Sequence, residues 1–227
     1  MNLGPLVSLA QASIAHRAEI QDPTEGWAGK QGADYTSPTR NPATVEGVNT
    51  SYIKRFGVSR VDVNAWALEG VPRSATVLEV GCAHGPMLNV MAASGFTSLE
   101  GCDVCAEALA LCSWPTKVAD GRSLPYPDGA FDLVMTSGTL MQIAPGSKAA
   151  FADECYRVAR RWVYGVEGAS PKPGTWDFGG LIPPAWTDHV PESIARPGWR
   201  VVRARWLHPL HPKSGKMSLR AYLLERE

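Results

Sequence analysis

Excess charge of either sign is missing from this chain, in which 22 Lys and Arg balance 22 Asp and Glu over 227 residues. Without a net field, bulk electrostatics gathers neither nucleic acid nor an anionic membrane surface. Long hydrophobic runs are missing as well, and none approaches the roughly 20 apolar residues of a membrane span. No Lys or Arg precedes Arg17, which argues against a secretory leader. Cysteine is scarce and odd in number. Cys82, Cys102, Cys105, Cys112 and Cys155 sit in apolar stretches, as reduced thiols of a cytoplasmic protein do. Cys102 and Cys105 have the spacing of half a zinc site, but no second Cys/His pair answers them, so no metal is expected. Repeats and low-complexity segments are also absent. What is present is ordinary globular composition, 44% apolar and 19% charged, with enough chain to bury a core unaided.

Periodicity divides the chain in two. Residues 1–65 read as an N-terminal helical and lid segment, with apolar residues at helical spacing before Asp22-Pro23 and again over 51–70. Between them lies a polar stretch rich in Gly, Pro, Thr and Asn, holding Trp27, Tyr35 and Arg40. A loop of that length with isolated aromatics is suited to capping a ligand, with Arg40 gripping an anionic group. Over residues 66–227 short β-rich runs alternate with helices, which predicts a Rossmann-like, doubly wound α/β sheet.

The most informative stretch is ATVLEVGCAHGPMLNVMAAS. Here an apolar strand enters the turn Gly81-Cys-Ala-His-Gly85 and a helix leaves it. Glycines there allow the backbone to approach a ligand, and the helix start offers free N–H groups. The next strand ends at Asp103, 22 residues after Gly81, the separation at which an acid meets ribose hydroxyls in nucleotide-binding α/β folds. A third strand ends at Asp120. Glu79, Asp103 and Asp120 would therefore share one sheet edge, where ligands of this architecture bind.

VLEVGCAHG, EGCDVCAEAL and ADGRSLPYPDGAFDLVMTSGTLMQI, taken in order, resemble the class I S-adenosylmethionine-dependent methyltransferases over about residues 70–167. The resemblance implies a seven-stranded sheet with its last strand antiparallel and S-adenosylmethionine as cofactor. It places Glu79, Gly81 and Gly85 along the methionine end, Asp103 on the ribose hydroxyls, Asp120 and the Gly121 N–H on the adenine edge, and Val104 against the ring. Ser137 would border the reacting methyl. WAGKQGADYTSPTRNP, ECYRVARRWVYGVEGASP, WDFGG and LRAYLLERE are similar to methylases associated with pseudaminic acid and other surface sugars. Those proteins often carry His where this chain has Gln142, which the resemblance sets beside the cofactor.

A hydroxyl acceptor must also lose a proton, so a base is required. His84 in the glycine turn, His189 in the insertion LIPPAWTDHVPES and Glu167 at the end of strand five are the candidates. Basic residues from Arg196 to Arg220, with Trp199 and Trp206 near them, leave nucleic acid open as a partner. The neutral chain argues against it. The expectation is a cytoplasmic methyltransferase acting on a small molecule, a sugar or nucleotide-sugar-like metabolite. The alternatives are a nucleic-acid methyltransferase and a non-catalytic homologue that only binds the cofactor.

Overall fold

The computed structural model describes residues 43–169, 190–207 and 218–227, the backbone of 174–176 and 185–187, and residue 28. Two short helices lead into the sheet. The first, α1 (Val45–Phe56), starts at Thr44, whose hydroxyl accepts from the Gly47 N–H at 3.1 Å. It stops at Gly57, whose left-handed backbone returns its N–H to the Ile53 carbonyl. The second, α2 (Arg60–Ala67), is capped by the Ser59 hydroxyl, which accepts from the Asp62 N–H. Asn49 of α1 also accepts from the N–H groups of Arg60 and Val61, at 3.0 and 3.2 Å, so α1 fixes where α2 begins. The single helix expected over 51–70 is thus two, because Gly57-Val58-Ser59 carries a stop and a start.

The alternating part follows as β1 (Thr76–Val80), α3 (Pro86–Ala93), β2 (Ser98–Asp103), α4 (Ala106–Leu109), β3 (Thr116–Val118), β4 (Phe131–Ser137), α5 (Lys148–Val158) and β5 (Ala159–Ala169). A hairpin, β6 (Gly174–Trp176) and β7 (Ala185–Thr187), precedes β8 (Trp199–Trp206) and β9 (Ser218–Arg226). The seven-stranded sheet runs β3-β2-β1-β4-β5-β9-β8. Strands β1 to β5 are parallel, and β9 lies antiparallel between β5 and β8. This is the doubly wound α/β sheet with an antiparallel final strand that the sequence predicts. The hairpin is an addition, drawn from short runs broken by Pro.

Alternate residues of the central strands feed opposite layers. Val77, Leu133, Met135 and Tyr164 pack with α2 and α3, while Leu78, Val80, Val134 and Val163 pack with α5. Each such aliphatic side chain contributes roughly 1.5–3 kcal/mol by burial. Val63 and Ala67 of α2 belong to the first layer. The division expected between residues 65 and 66 therefore falls inside α2, a helix whose buried face is part of the sheet's own core. Because β1 to β5 are parallel, their carboxyl ends share one edge, and the order reverses between β1 and β4. Loops leaving those two strands diverge and open a crevice.

Candidate active site

A cavity of about 370 Å³ occupies that crevice. Its size is that of a small-molecule site. Of the residues expected there, Glu79, Gly81, His84, Asp103, Val104, Asp120, Gly121, Ser137 and Gln142 all line it. Gly85 does not. It caps α3 in a left-handed conformation, where a Cβ would come within 2.6 Å of the Cys112 sulfur. Tyr35, Arg40 and His189 lie outside the described residues.

Each acid is held differently. Asp103 ties two loops together, one carboxylate oxygen accepting from the Ala83 N–H and the other from the Cys105 N–H, both at 2.9 Å. Burial pushes its carboxyl above the usual aspartate range, against the pull of those N–H groups. Asp120 braces its own loop. Arg122 Nε sits 3.0 Å from both carboxylate oxygens and the Arg122 N–H reaches one of them at 2.9 Å. Glu79 is 1% exposed, and its Oε2 has no hydrogen-bond partner among the described residues. Burial raises its carboxyl well above the usual range, opposed by the charge of Arg60.

Two close approaches shape the floor. Gly81 has φ +80°, and a Cβ there would run into the Thr139 side chain, so the glycine turn and the loop after β4 can touch only without one. At Gly121 a Cβ would strike the Phe151 ring, which lines the same cavity.

Glu167 is placed otherwise than the sequence predicts. It is fully buried, away from the cavity wall, and accepts from the Thr139 N–H at 3.2 Å and the Met141 N–H at 3.5 Å. Its neighbour Val166 faces the cavity instead. Glu167 is therefore withdrawn as the base; its carboxylate shapes the turn that presents Gln142. His84 is also buried, at 3% exposure, but lines the cavity. Gln142 lines it too, with an Oε1 that finds no donor among the described residues.

Sequence reasoning missed the wall supplied by α1. Val48, Ser51, Tyr52, Arg55 and Phe56 line the cavity. Their spacing is that of one helical face, a signal that was available. Missed with them was Arg60, buried behind Tyr52 and Met87.

Residues 78–162 match the methyltransferase domain family. That stretch of the chain is a methyltransferase domain. No curated protein sequence matches it. Among solved structures, magnesium protoporphyrin IX methyltransferase from Synechocystis with bound S-adenosylhomocysteine is similar at 15% identity and TM-score 0.63, over 90% of this chain and 97% of that one. A 1,6-didemethyltoxoflavin-N1-methyltransferase from Burkholderia thailandensis, with its substrate and S-adenosylhomocysteine bound, is 14% identical at TM-score 0.58, over 73% and 76%. The cyclase SpnF is 16% identical at TM-score 0.57, over 73% and 80%. Identities this low establish the fold, and a fold hosts more than one chemistry. The domain match is what decides the class: the protein is an S-adenosylmethionine-dependent methyltransferase, with S-adenosylmethionine as its cofactor. The site fits that cofactor, since the cavity sets an orphan buried carboxylate oxygen and two further acids along the ends of three successive strands. Among the described residues no helix is long and apolar enough to cross a membrane.

Proposed function

We propose that this methyltransferase acts on a hydroxyl of a small polar acceptor, a sugar or nucleotide-sugar-like metabolite. The observation that carries the reading is a pair of buried acceptors in the cavity wall, Glu79 Oε2 and Gln142 Oε1, with no donors among the described residues. Buried acceptors left unmatched cost roughly 1–3 kcal/mol each, so the site calls for ligands that bring donors. Glu79, beside Gly81, is suited to an ammonium group at the methionine end. Asp103 has lone pairs left for ribose hydroxyls, and the Gly121 N–H, in the loop that Asp120 braces through Arg122, is suited to the adenine edge, Val104 lying alongside. Ser137 and Gln142 border the reacting end. Gln142 can accept from an acceptor hydroxyl and orient it, but an amide cannot take the proton. His84 is our candidate for that base.

Bound S-adenosylmethionine supplies a methyl group already activated on a sulfonium. The protein's part is to align the acceptor and exclude water, which can contribute roughly 7–11 kcal/mol. Tyr52, Phe56, Met141 and Ile143 give the cavity apolar walls suited to excluding water.

The basic stretch that left nucleic acid open is largely committed within the protein. Arg196 pairs with Asp153 at 2.6 Å, Arg203 with Glu69 at 2.8 Å and Arg220 with Glu192 at 2.8 Å. Arg200 pairs with Glu225, and Arg205 lies 4.1 Å above the Trp66 ring. None of these arginines lines the cavity. The test is transfer of labelled methyl groups from S-adenosylmethionine to a panel of sugars, sugar nucleotides, DNA and RNA. Label entering only nucleic acid, or none entering any hydroxylated small molecule, would overturn the reading.

A further inference from the structure

Helix α1 puts into the cavity wall a set of hydrogen-bond donors that the proposed reaction leaves unused. Among the described residues, Arg55 is the only Lys or Arg in that wall. It is also the one described arginine without an ion pair, hydrogen bond or ring contact. The others are held, as Arg73 is over the Phe96 ring at 4.6 Å and Arg226 on the Tyr156 and Ala159 carbonyls at 2.9 and 2.8 Å. Ser51 and Tyr52 line the same wall, and neither hydroxyl has a hydrogen bond within the described residues. Side chains three and four apart share a helix face, so the two hydroxyls and the guanidinium lie together. The Tyr52 ring is fixed by its neighbours, edge-on to Phe56 at 5.4 Å and 5.6 Å from the Arg60 guanidinium. A cation in the last turn of α1 suits the helix dipole, but Lys54 supplies one there without entering the cavity.

This wall stands apart from the three acids. Glu79, Asp103 and Asp120 belong to the ends of β1, β2 and β3, where the cofactor is placed. The Arg60 guanidinium that packs on Tyr52 also lies 5.4 Å from the ring of Tyr164, so the middle of α1 stands over β5, on the far side of β4. Val166 of β5 and Leu219 of β9 line the cavity on that side. We propose that Arg55, with the Ser51 and Tyr52 hydroxyls, grips an anionic group of the acceptor, so that the methylated molecule carries a phosphate or a carboxylate and is not a neutral sugar. This rests on the reading that the acceptor is a hydroxylated small molecule. A guanidinium offers paired N–H donors to two oxygens of either anion, and each hydroxyl offers one donor more. S-adenosylmethionine carries a carboxylate of its own, and the two sources of the anion are separated by experiment.

Calorimetric titration of the S-adenosylhomocysteine-saturated protein with inorganic pyrophosphate reads the grip without the acceptor. The parent should bind it saturably, and Arg55→Gln at least about tenfold more weakly, the loss of one charge-assisted bond. Tyr52→Phe, which removes one neutral donor, should bind about two- to fivefold more weakly. Arg55→Lys should fall between the parent and Arg55→Gln, because it keeps the charge without the fork. Arg55 is exposed, so a thermal scan should find its variants as stable as the parent. Both should hold S-adenosylhomocysteine as the parent does. Transfer of labelled methyl groups is then compared within matched sets of a neutral sugar, its 1-phosphate and its uronic acid. One of the two anionic members should be used at least about tenfold better in kcat/KM, and Arg55→Gln should remove that advantage by raising KM. Pyrophosphate bound equally by Arg55→Gln, no saturable binding by the parent, or neutral sugars used as well as their anionic counterparts overturns the proposal. Loss of S-adenosylhomocysteine affinity in Arg55→Gln assigns the guanidinium to the cofactor's carboxylate and overturns it as well. Label entering no member of any set overturns the hydroxyl-acceptor reading itself, a separate outcome.

Discussion

Replacing Asp103 by Asn tests the ribose assignment with the least disturbance to the loops around it. The carboxylate already accepts two backbone N–H groups, from Ala83 and Cys105, so Asp103→Ala would strand both inside the protein as well as remove the ligand contact. Each stranded donor costs roughly 1–3 kcal/mol, and the glycine turn would loosen for that reason alone. Asn keeps the shape and one acceptor oxygen, while its NH2 must face an N–H that formerly met an oxygen. Hydrogen bonds to a charged group contribute roughly 1.5–3 kcal/mol each. Losing the charge toward two ribose hydroxyls, with part of each bond retained, should cost about 2–4 kcal/mol, or about 30- to 1000-fold in affinity. Calorimetric titration with S-adenosylhomocysteine measures the loss, and a thermal scan of the ligand-free variant reports what the stranded donor does to the fold. The parent carries a further mark. Burial raises the Asp103 carboxyl, so binding should weaken on acidification sooner than an ordinary aspartate would dictate. Asp103→Asn binding within threefold of the parent, in a protein that melts normally, would refute the ribose role.

His84→Gln should lower kcat by about 10²–10⁴ and abolish the acid limb of the pH–rate profile, whereas parental kcat would remove His84 as the base. Glu167→Gln puts an amide donor against the Thr139 and Met141 N–H groups, so it should cost about 1–3 kcal/mol and several degrees of melting temperature. The shape of its pH–rate profile should stay parental, and loss of a limb would make Glu167 a base after all. Glu154 accepts from Arg157 at 2.6 Å and from the Leu124 N–H at 2.6 Å, pinning the segment that follows Asp120. Arg157 holds its carboxyl below the usual glutamate range, so this stability is present above pH ~4.5 and lost as pH falls through the lowered value. Glu154→Gln should therefore melt about 1–2 kcal/mol less stably at pH 7, with the gap closing as pH falls through that lowered value, and a gap independent of pH would contradict that origin.

Strand order and the acidic edge were legible because they follow from chain order alone. Once β1, β2 and β3 are parallel, Glu79, Asp103 and Asp120 reach one side, and all three line the cavity. Gly81 was legible for a different reason: a strand running into a glycine turn and then an apolar helix has few other uses. Helix α1 was half legible. Its period marks Val48, Ser51, Tyr52 and Arg55 as one face, but a period does not say that the face closes a crevice instead of packing on a sheet. Helix α4 is a single turn, Ala106–Leu109, because Cys112 and Trp114 turn in toward the core soon after it, a packing that the local sequence does not announce.

The harder lesson concerns charge. A sequence shows which side chains can ionise but not which of them water reaches. Glu167 ends a strand at the correct edge, so it reads as a base, yet strand alternation gives the cavity to Val166 and leaves Glu167 to the backbone of the next turn. Arg60 reads as one more solvated helix residue, and only the packing of Tyr52, Met87 and Tyr164 around it turns it into a dry charge. The basic stretch from Arg196 to Arg220 errs in the other direction. It reads as a field for phosphates until Glu69, Asp153, Glu192 and Glu225, each distant in sequence from the arginine it meets, are brought against it. Exposed pairs of that kind contribute roughly 0–1 kcal/mol each to stability, so their weight here lies in what they withdraw from a ligand. Among the described residues, the charges left facing the cavity are its three acids and Arg55, a balance suited to ligands that bring a cation and hydroxyl donors to the sheet edge.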